Sequence, residues 1–142
     1  TPVAPDIRGK RILLVEDEPP VRALVQDMLE EFGAKVLSFD SAEALLADPQ
    51  AAQGAFDLLV TDVILPGASG NELVRQLRQR APGLAVLYIS GYTGDAISQH
   101  GLAEKDITLL NKPFRAQDLL TKVHLALVRG GTTATSDQGD PS

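Results

Sequence analysis

Short apolar runs that each end in a polar residue constrain this chain more than any other feature. Ile12-Leu13-Leu14-Val15 runs into Glu16-Asp17, Leu58-Leu59-Val60 leads to Asp62, Val86-Leu87-Tyr88-Ile89 leads to Ser90, and Ile107 to Leu110 leads to Lys112. Runs this short, apolar on both alternating sides, are strands buried on two faces. Between the first two runs lies a helical pattern. Val21, Leu24, Val25, Met28, Leu29 and Phe32 recur at helical spacing after Pro19-Pro20, and Gly33 follows as a stop. A strand over Lys35 to Phe39 comes next, then a helix opened by Asp40 with Glu43 three residues on, in a capping-box pattern. Further helices are expected after Ser69-Gly70-Asn71-Glu72, at about 95–100, and over 116–128 with Gly130 as its stop. Five strand–helix units of this kind imply an α/β fold. The expected form is a doubly wound, five-stranded parallel sheet of order 2-1-3-4-5, a flavodoxin-like (βα)5 sandwich.

With 142 residues the chain is long enough for one domain with a full core. Residues 1–9, with two prolines and little periodicity, read as a linker, and 10–129 as the folded unit. Residues 130–142 lack any large apolar side chain and read as a disordered tail. The chain has no cysteine, which removes disulfides and thiolate metal sites. A net charge of −6 argues against a nucleic-acid surface, and no apolar stretch approaches the roughly 20 residues of a membrane span.

In an open α/β sheet, ligands bind outside the carboxyl ends of the strands. Here those ends carry Glu16, Asp17, Asp62, Ser90 and Lys112. Two carboxylates about 5 Å apart repel by about 3 kcal/mol at an effective dielectric of about 20. A divalent cation removes that cost, and an all-oxygen donor set points to Mg²⁺. A carboxylate beside such a cation is a nucleophile toward phosphorus, with a hydroxyl and an ammonium available to the transferring oxygens. An aspartate-nucleophile phosphohydrolase would need a second acid two residues after its nucleophile, where this chain has Ile64. A flavin binder would need a hydroxyl- and glycine-rich loop after the first strand, where this chain has acids.

Four segments together, in order and with the same spacing, resemble the receiver domain of two-component response regulators. They are Leu14-Val15-Glu16-Asp17-Glu18, Thr61-Asp62-Val63-Ile64-Leu65-Pro66-Gly67 with Gly70, Ile89-Ser90-Gly91-Tyr92, and Asn111-Lys112-Pro113-Phe114. The resemblance implies that Asp62 accepts a phosphoryl group from a phosphohistidine. It implies that Asp17, Asp62 and the Ile64 carbonyl ligate Mg²⁺, with Glu16 acting through water. It makes Ser90 the switch hydroxyl and Lys112 the phosphoryl-binding lysine. The implied partner is a phosphohistidine-bearing kinase or phosphotransfer domain, with no direct contact to nucleic acid or membrane. The implied location is cytoplasmic, any membrane anchor belonging to the parent protein. Such a module is not a turnover enzyme, although it assists its own phosphorylation and dephosphorylation. The Ser90 and Lys112 segments are similar to receivers attached to hybrid histidine kinases. One position departs: Leu109 stands three before the lysine, where receivers often carry an aromatic switch residue.

Overall fold

The computed structural model describes residues 7–53, 55–65, 68–81, 83–90, 108–112 and 114–139. In chain order the elements are β1 (Arg11–Val15), α1 (Pro19–Glu31), β2 (Lys35–Phe39), α2 (Ala42–Ala47), α3 (Pro49–Gln53), β3 (Leu58–Asp62), β4 (Ile64–Leu65), β5 (Ala68–Ser69), α4 (Gly70–Arg80), β6 (Ala85–Ser90), β7 (Thr108–Asn111) and α5 (Ala116–Gly139). The main sheet is parallel, in the order β2-β1-β3-β6-β7. Counting only its five strands, this is the expected 2-1-3-4-5. β4 and β5 form a separate antiparallel hairpin of two residues a side, which the sequence reading did not anticipate.

The period of two along each strand divides the core between the two faces of the sheet. Ile12, Leu14, Leu58, Val60, Leu87 and Ile89 pack with Val25 and Leu29 of α1 and with Leu119, Leu120 and Val123 of α5. Leu13, Val15, Leu59, Val86 and Tyr88 pack on the opposite face with Leu45 of α2 and Leu73, Val74 and Leu77 of α4. Among the described residues the sheet is thus covered on both sides, which leaves its strand ends for a site.

Several local expectations shift. The apolar stripe of α1 is buried at Val25 and Leu29, but Leu24 is 49% exposed. At 3.6 residues per turn, Leu24 lies about 80° from the centre of the stripe, at its solvent edge. The cap of α2 is Ser41, not Asp40: its hydroxyl accepts from the Ala44 amide at 3.1 Å, and Glu43 falls within the first turn. Asp48 caps α3 in the same way, accepting from the amides of Gln50 and Ala51. β3 runs one residue further than expected, so Asp62 is its last residue. The expected short helix at 95–100 and the start of the last strand at Ile107 lie outside the described residues.

Both ends of the expected folded unit also differ. Ile7, assigned to the linker, is fully buried in the core on the α1/α5 face. The amide of Gly9 donates to the Gly33 carbonyl at 2.9 Å, and that of Lys35 to the Lys10 carbonyl at 2.8 Å. This seam depends on Gly33, which has φ +95° and lies where a Cβ would meet the Arg8 side chain at 2.6 Å. At the other end α5 continues through Gly130 to Gly139, across most of the expected disordered tail. Glycine costs about 1 kcal/mol in a helix relative to alanine, but it keeps the backbone N–H that the helical ladder uses.

Candidate functional site

β1 crosses to β2 on one side and, through β3, to the rest of the sheet on the other, so the chain reverses its winding between β1 and β3. This is the switch point at which open α/β sheets leave a crevice. Val15 pairs with Thr61 across it, which sets Glu16 beside Asp62. Asp62 pairs in turn with Ile89, and Ser90 with Asn111. The Lys112 amide donates to the Ser90 carbonyl at 2.9 Å, carrying the lysine to the same end of the sheet. By strand parity Glu16, Asp62 and Lys112 follow Leu14, Val60 and Leu110, all of which face α1 and α5.

The result is a cluster of charge. One oxygen each of Glu16, Asp17 and Asp62 lies within 4.8 Å of the others. Glu16 and Asp62 are buried and Asp17 is exposed. The Lys112 ammonium sits 3.2 Å from Glu16 Oε2, 3.4 Å from Asp62 Oδ1 and 3.1 Å from Glu18 Oε1. Its hydrogen bond goes to Glu18. Glu16 Oε2 and Asp62 Oδ1, both buried, accept no hydrogen bond among the described residues.

Burial, reinforced by the adjacent Glu16 carboxyl, pushes the Asp62 carboxyl up to about 9, against the downward pull of Lys112. Burial alone would lower the Lys112 ammonium, but Asp62, Glu18 and Glu16 outweigh it and hold the group above its ordinary range. Two buried carboxyls that share one ammonium, with a third acid at the rim, suit a hard divalent cation better than they suit each other.

Ser90 is buried at the end of β6. The Ile64 backbone lies in β4, two residues beyond Asp62. Leu109 is partly buried against the core on the α2/α4 face, so no aromatic switch operates from that position. Tyr92 and Pro113 lie outside the described residues.

Two residues near the site were not given these roles from the sequence. Arg22 donates from Nη1 to the Glu16 carbonyl at 2.7 Å and is partly buried. Glu18 had no assigned role, yet it holds Lys112. Neither has a sequence signal, because one contact depends on the entry angle of α1 and the other spans 94 residues.

The family model for the response regulator receiver domain matches residues 12–124. This chain is a response regulator receiver domain. Receivers are the phosphoacceptor modules of two-component systems. They act with histidine kinases or phosphotransfer partners and bind Mg²⁺ at an acidic pocket. This receiver is 33% identical over 119 residues to the response regulator receiver protein CpdR of Brucella abortus (strain 2308), covering 84% of this chain and 98% of CpdR. It is 34% identical over 121 residues to the sensor kinase CckA of the same organism, covering 84% of this chain but 13% of CckA. Among solved structures it resembles a CheY-like receiver domain protein from Methanospirillum hungatei JF-1. That match has a TM-score of 0.74 and 27% identity, and covers 88% of this chain and 98% of the other. No helix among the described residues is long and apolar enough to cross a membrane.

Proposed function

We propose that Asp62 is the phosphoacceptor of this receiver. One observation carries the reading: Asp62 Oδ1 is buried at the chain-reversal crevice without a hydrogen bond, 3.4 Å from the Lys112 ammonium. A carboxyl so placed lies where an ammonium and a cation held by the neighbouring acids can both steady a phosphoryl group against it. In the transfer, Asp62 forms an O–P bond as the N–P bond of a phosphohistidine breaks, and the electron pair returns to the imidazole. Lys112 donates to one phosphoryl oxygen and the Ser90 hydroxyl to another, where charge develops in the loose transition state. Asp17, Asp62 and the Ile64 carbonyl would hold Mg²⁺, with Glu16 acting through water. Bound there, the cation supplies the charge that returns Asp62 to its anionic form and neutralises the incoming phosphoryl oxygens.

The donor is a phosphohistidine-bearing kinase or phosphotransfer domain in the cytoplasm, and this unit itself contacts neither nucleic acid nor membrane. Its parent is a free-standing regulator, a phosphorelay intermediate or a sensor kinase that carries the receiver. The test is intact-mass measurement with Mg²⁺ and a small phosphodonor, followed by peptide mapping. A gain of one phosphoryl group mapped to Asp62 is expected. A phosphoryl group on any other residue would refute the assignment.

Asp17 gives a second test. Loss of a group that only orients a ligand weakens metal sites by roughly 10- to 100-fold, so losing a direct ligand should cost at least as much. Asp17→Ala is expected to raise the Mg²⁺ dissociation constant by about tenfold or more and to slow phosphorylation in proportion at limiting Mg²⁺. Titration of Mg²⁺ against the melting temperature measures the first effect directly. A wild-type titration curve in the variant would remove Asp17 from the ligand set.

A further inference from the structure

Glu18 sits at the N-cap of α1, a position that favours Ser, Thr, Asp or Asn because a short side chain can reach the first free amides. Glu18 makes no such cap bond. Its backbone amide donates to Glu16 Oε1 at 3.2 Å, and its carbonyl accepts from the Arg22 amide at 2.9 Å, so the residue is held over the mouth of the crevice. From there its side chain reaches the Lys112 ammonium at 3.1 Å. The ammonium lies within reach of all three carboxylates, and its contact with Glu18 has the geometry of a hydrogen bond. The other two acids are almost wholly buried, whereas the Glu18 side chain is 58% exposed.

We propose that Glu18 is a positioning residue that tethers Lys112 at the outer rim of the pocket until a phosphoryl oxygen displaces it. The proposal rests on the reading of Asp62 as acceptor and Lys112 as the phosphoryl-binding cation. The chemistry is a partner exchange. The ammonium has three donors, and before transfer one of them is committed to Glu18. An arriving phosphoryl group carries more charge than the Glu18 carboxylate and lies deeper, beside Asp62. The lysine turns inward to it, and the carboxylate of Glu18 is released to solvent at the first turn of α1. The tether therefore raises the barrier to phosphorylation and links the state of the pocket to the N-terminus of α1. An exposed ion pair of ordinary strength alters an equilibrium by about two- to fivefold, which sets the size of the effect.

The experiment uses acetyl phosphate as donor with saturating Mg²⁺, and follows phosphorylation in wild type, Glu18→Gln and Glu18→Asp. Glu18→Gln removes the charge and keeps the length. Glu18→Asp keeps the charge at the mouth but shortens the reach by one methylene, so the two separate a tether from a bulk field acting on an anionic donor. Both variants are expected to raise the rate at saturating donor by about two- to fivefold, and both should shift the ε-methylene resonance of Lys112 in the unphosphorylated protein. A wild-type rate in Glu18→Asp, or an unmoved Lys112 resonance in Glu18→Gln, would overturn the proposal. Mapping the phosphoryl group in each variant keeps the two readings apart. Phosphate on Asp62 with unchanged rates sinks the tether alone, whereas phosphate elsewhere sinks the site assignment beneath it.

Discussion

Asp62→Asn is expected to abolish phosphorylation and, at the same time, to stabilise the metal-free protein. The first effect follows because an amide is no nucleophile toward phosphorus. The second follows from the cost of the native site. Asp62 is raised from 3.8 to about 9 by burial first and by Glu16 second. Below pH 3.8 the folded and unfolded chains both hold this proton, and Asp62 costs nothing. As pH rises toward 9 the unfolded chain releases the proton and the folded one retains it, so the folded state loses stability across that window. At pH 7 the interval above 3.8 corresponds to at most about 4 kcal/mol at 1.36 kcal/mol per unit. An asparagine keeps an oxygen toward Lys112 and can donate from its amide nitrogen to Glu16. A net gain of about 2 kcal/mol at pH 7 is the expected result. Chemical denaturation in a chelator from pH 4 to 9 measures it: wild type should weaken with rising pH and Asp62→Asn should be flatter. Equal pH profiles would show that the pocket does not impose this penalty, and any phosphoryl gain in the variant would remove Asp62 as acceptor. Mg²⁺ should also stabilise wild type more than the variant, since the carboxyl can release its proton and become an anionic ligand and the amide cannot.

Ile7→Ala is expected to destabilise the fold by about 3 kcal/mol, within the range for truncating a buried isoleucine. Ile7 is fully buried on the α1/α5 face, and its carbonyl accepts from the Lys10 amide at 3.1 Å. A domain of this size is stable by only about 5–15 kcal/mol, so the loss is a large share of the total. The midpoint of a urea transition at constant slope reads it. A protein that starts at Lys10 should lose at least as much, because it also forfeits the hydrogen bond from Gly9 to Gly33. A variant within about 0.5 kcal/mol of wild type would return residues 7–9 to the status of a loose linker.

These two residues show where local reasoning stops. Ile7 follows two prolines and belongs to no periodic run, so nothing local marks it as core. Its burial comes from a seam between the entering chain and the turn after α1, a contact of residues more than twenty positions apart. Asp62, by contrast, was legible at once. A run of strand residues ending in an acid places that acid at the strand's carboxyl end, whatever the details of packing.

The sequence by itself determined the order of strands and helices, and with it the sheet topology and the residues at the strand ends. Strand and helix periods are local properties, and right-handed crossovers leave few ways to wind five such units into one sheet. Glu16, Asp17, Asp62, Ser90 and Lys112 could therefore be gathered at one end of the sheet before any coordinates. Only the tertiary structure decided which of them touch. The register of β1 against β3 sets Glu16 and Asp62 side by side, and the angle at which α1 leaves the sheet carries Glu18 onto Lys112 and Arg22 onto the Glu16 carbonyl. It also decided that Leu24 lies at the solvent edge of its stripe and that Ser41, one residue beyond the expected cap, starts α2. Contacts of this kind depend on rotations and offsets between elements, and a one-dimensional pattern of residue types does not encode them.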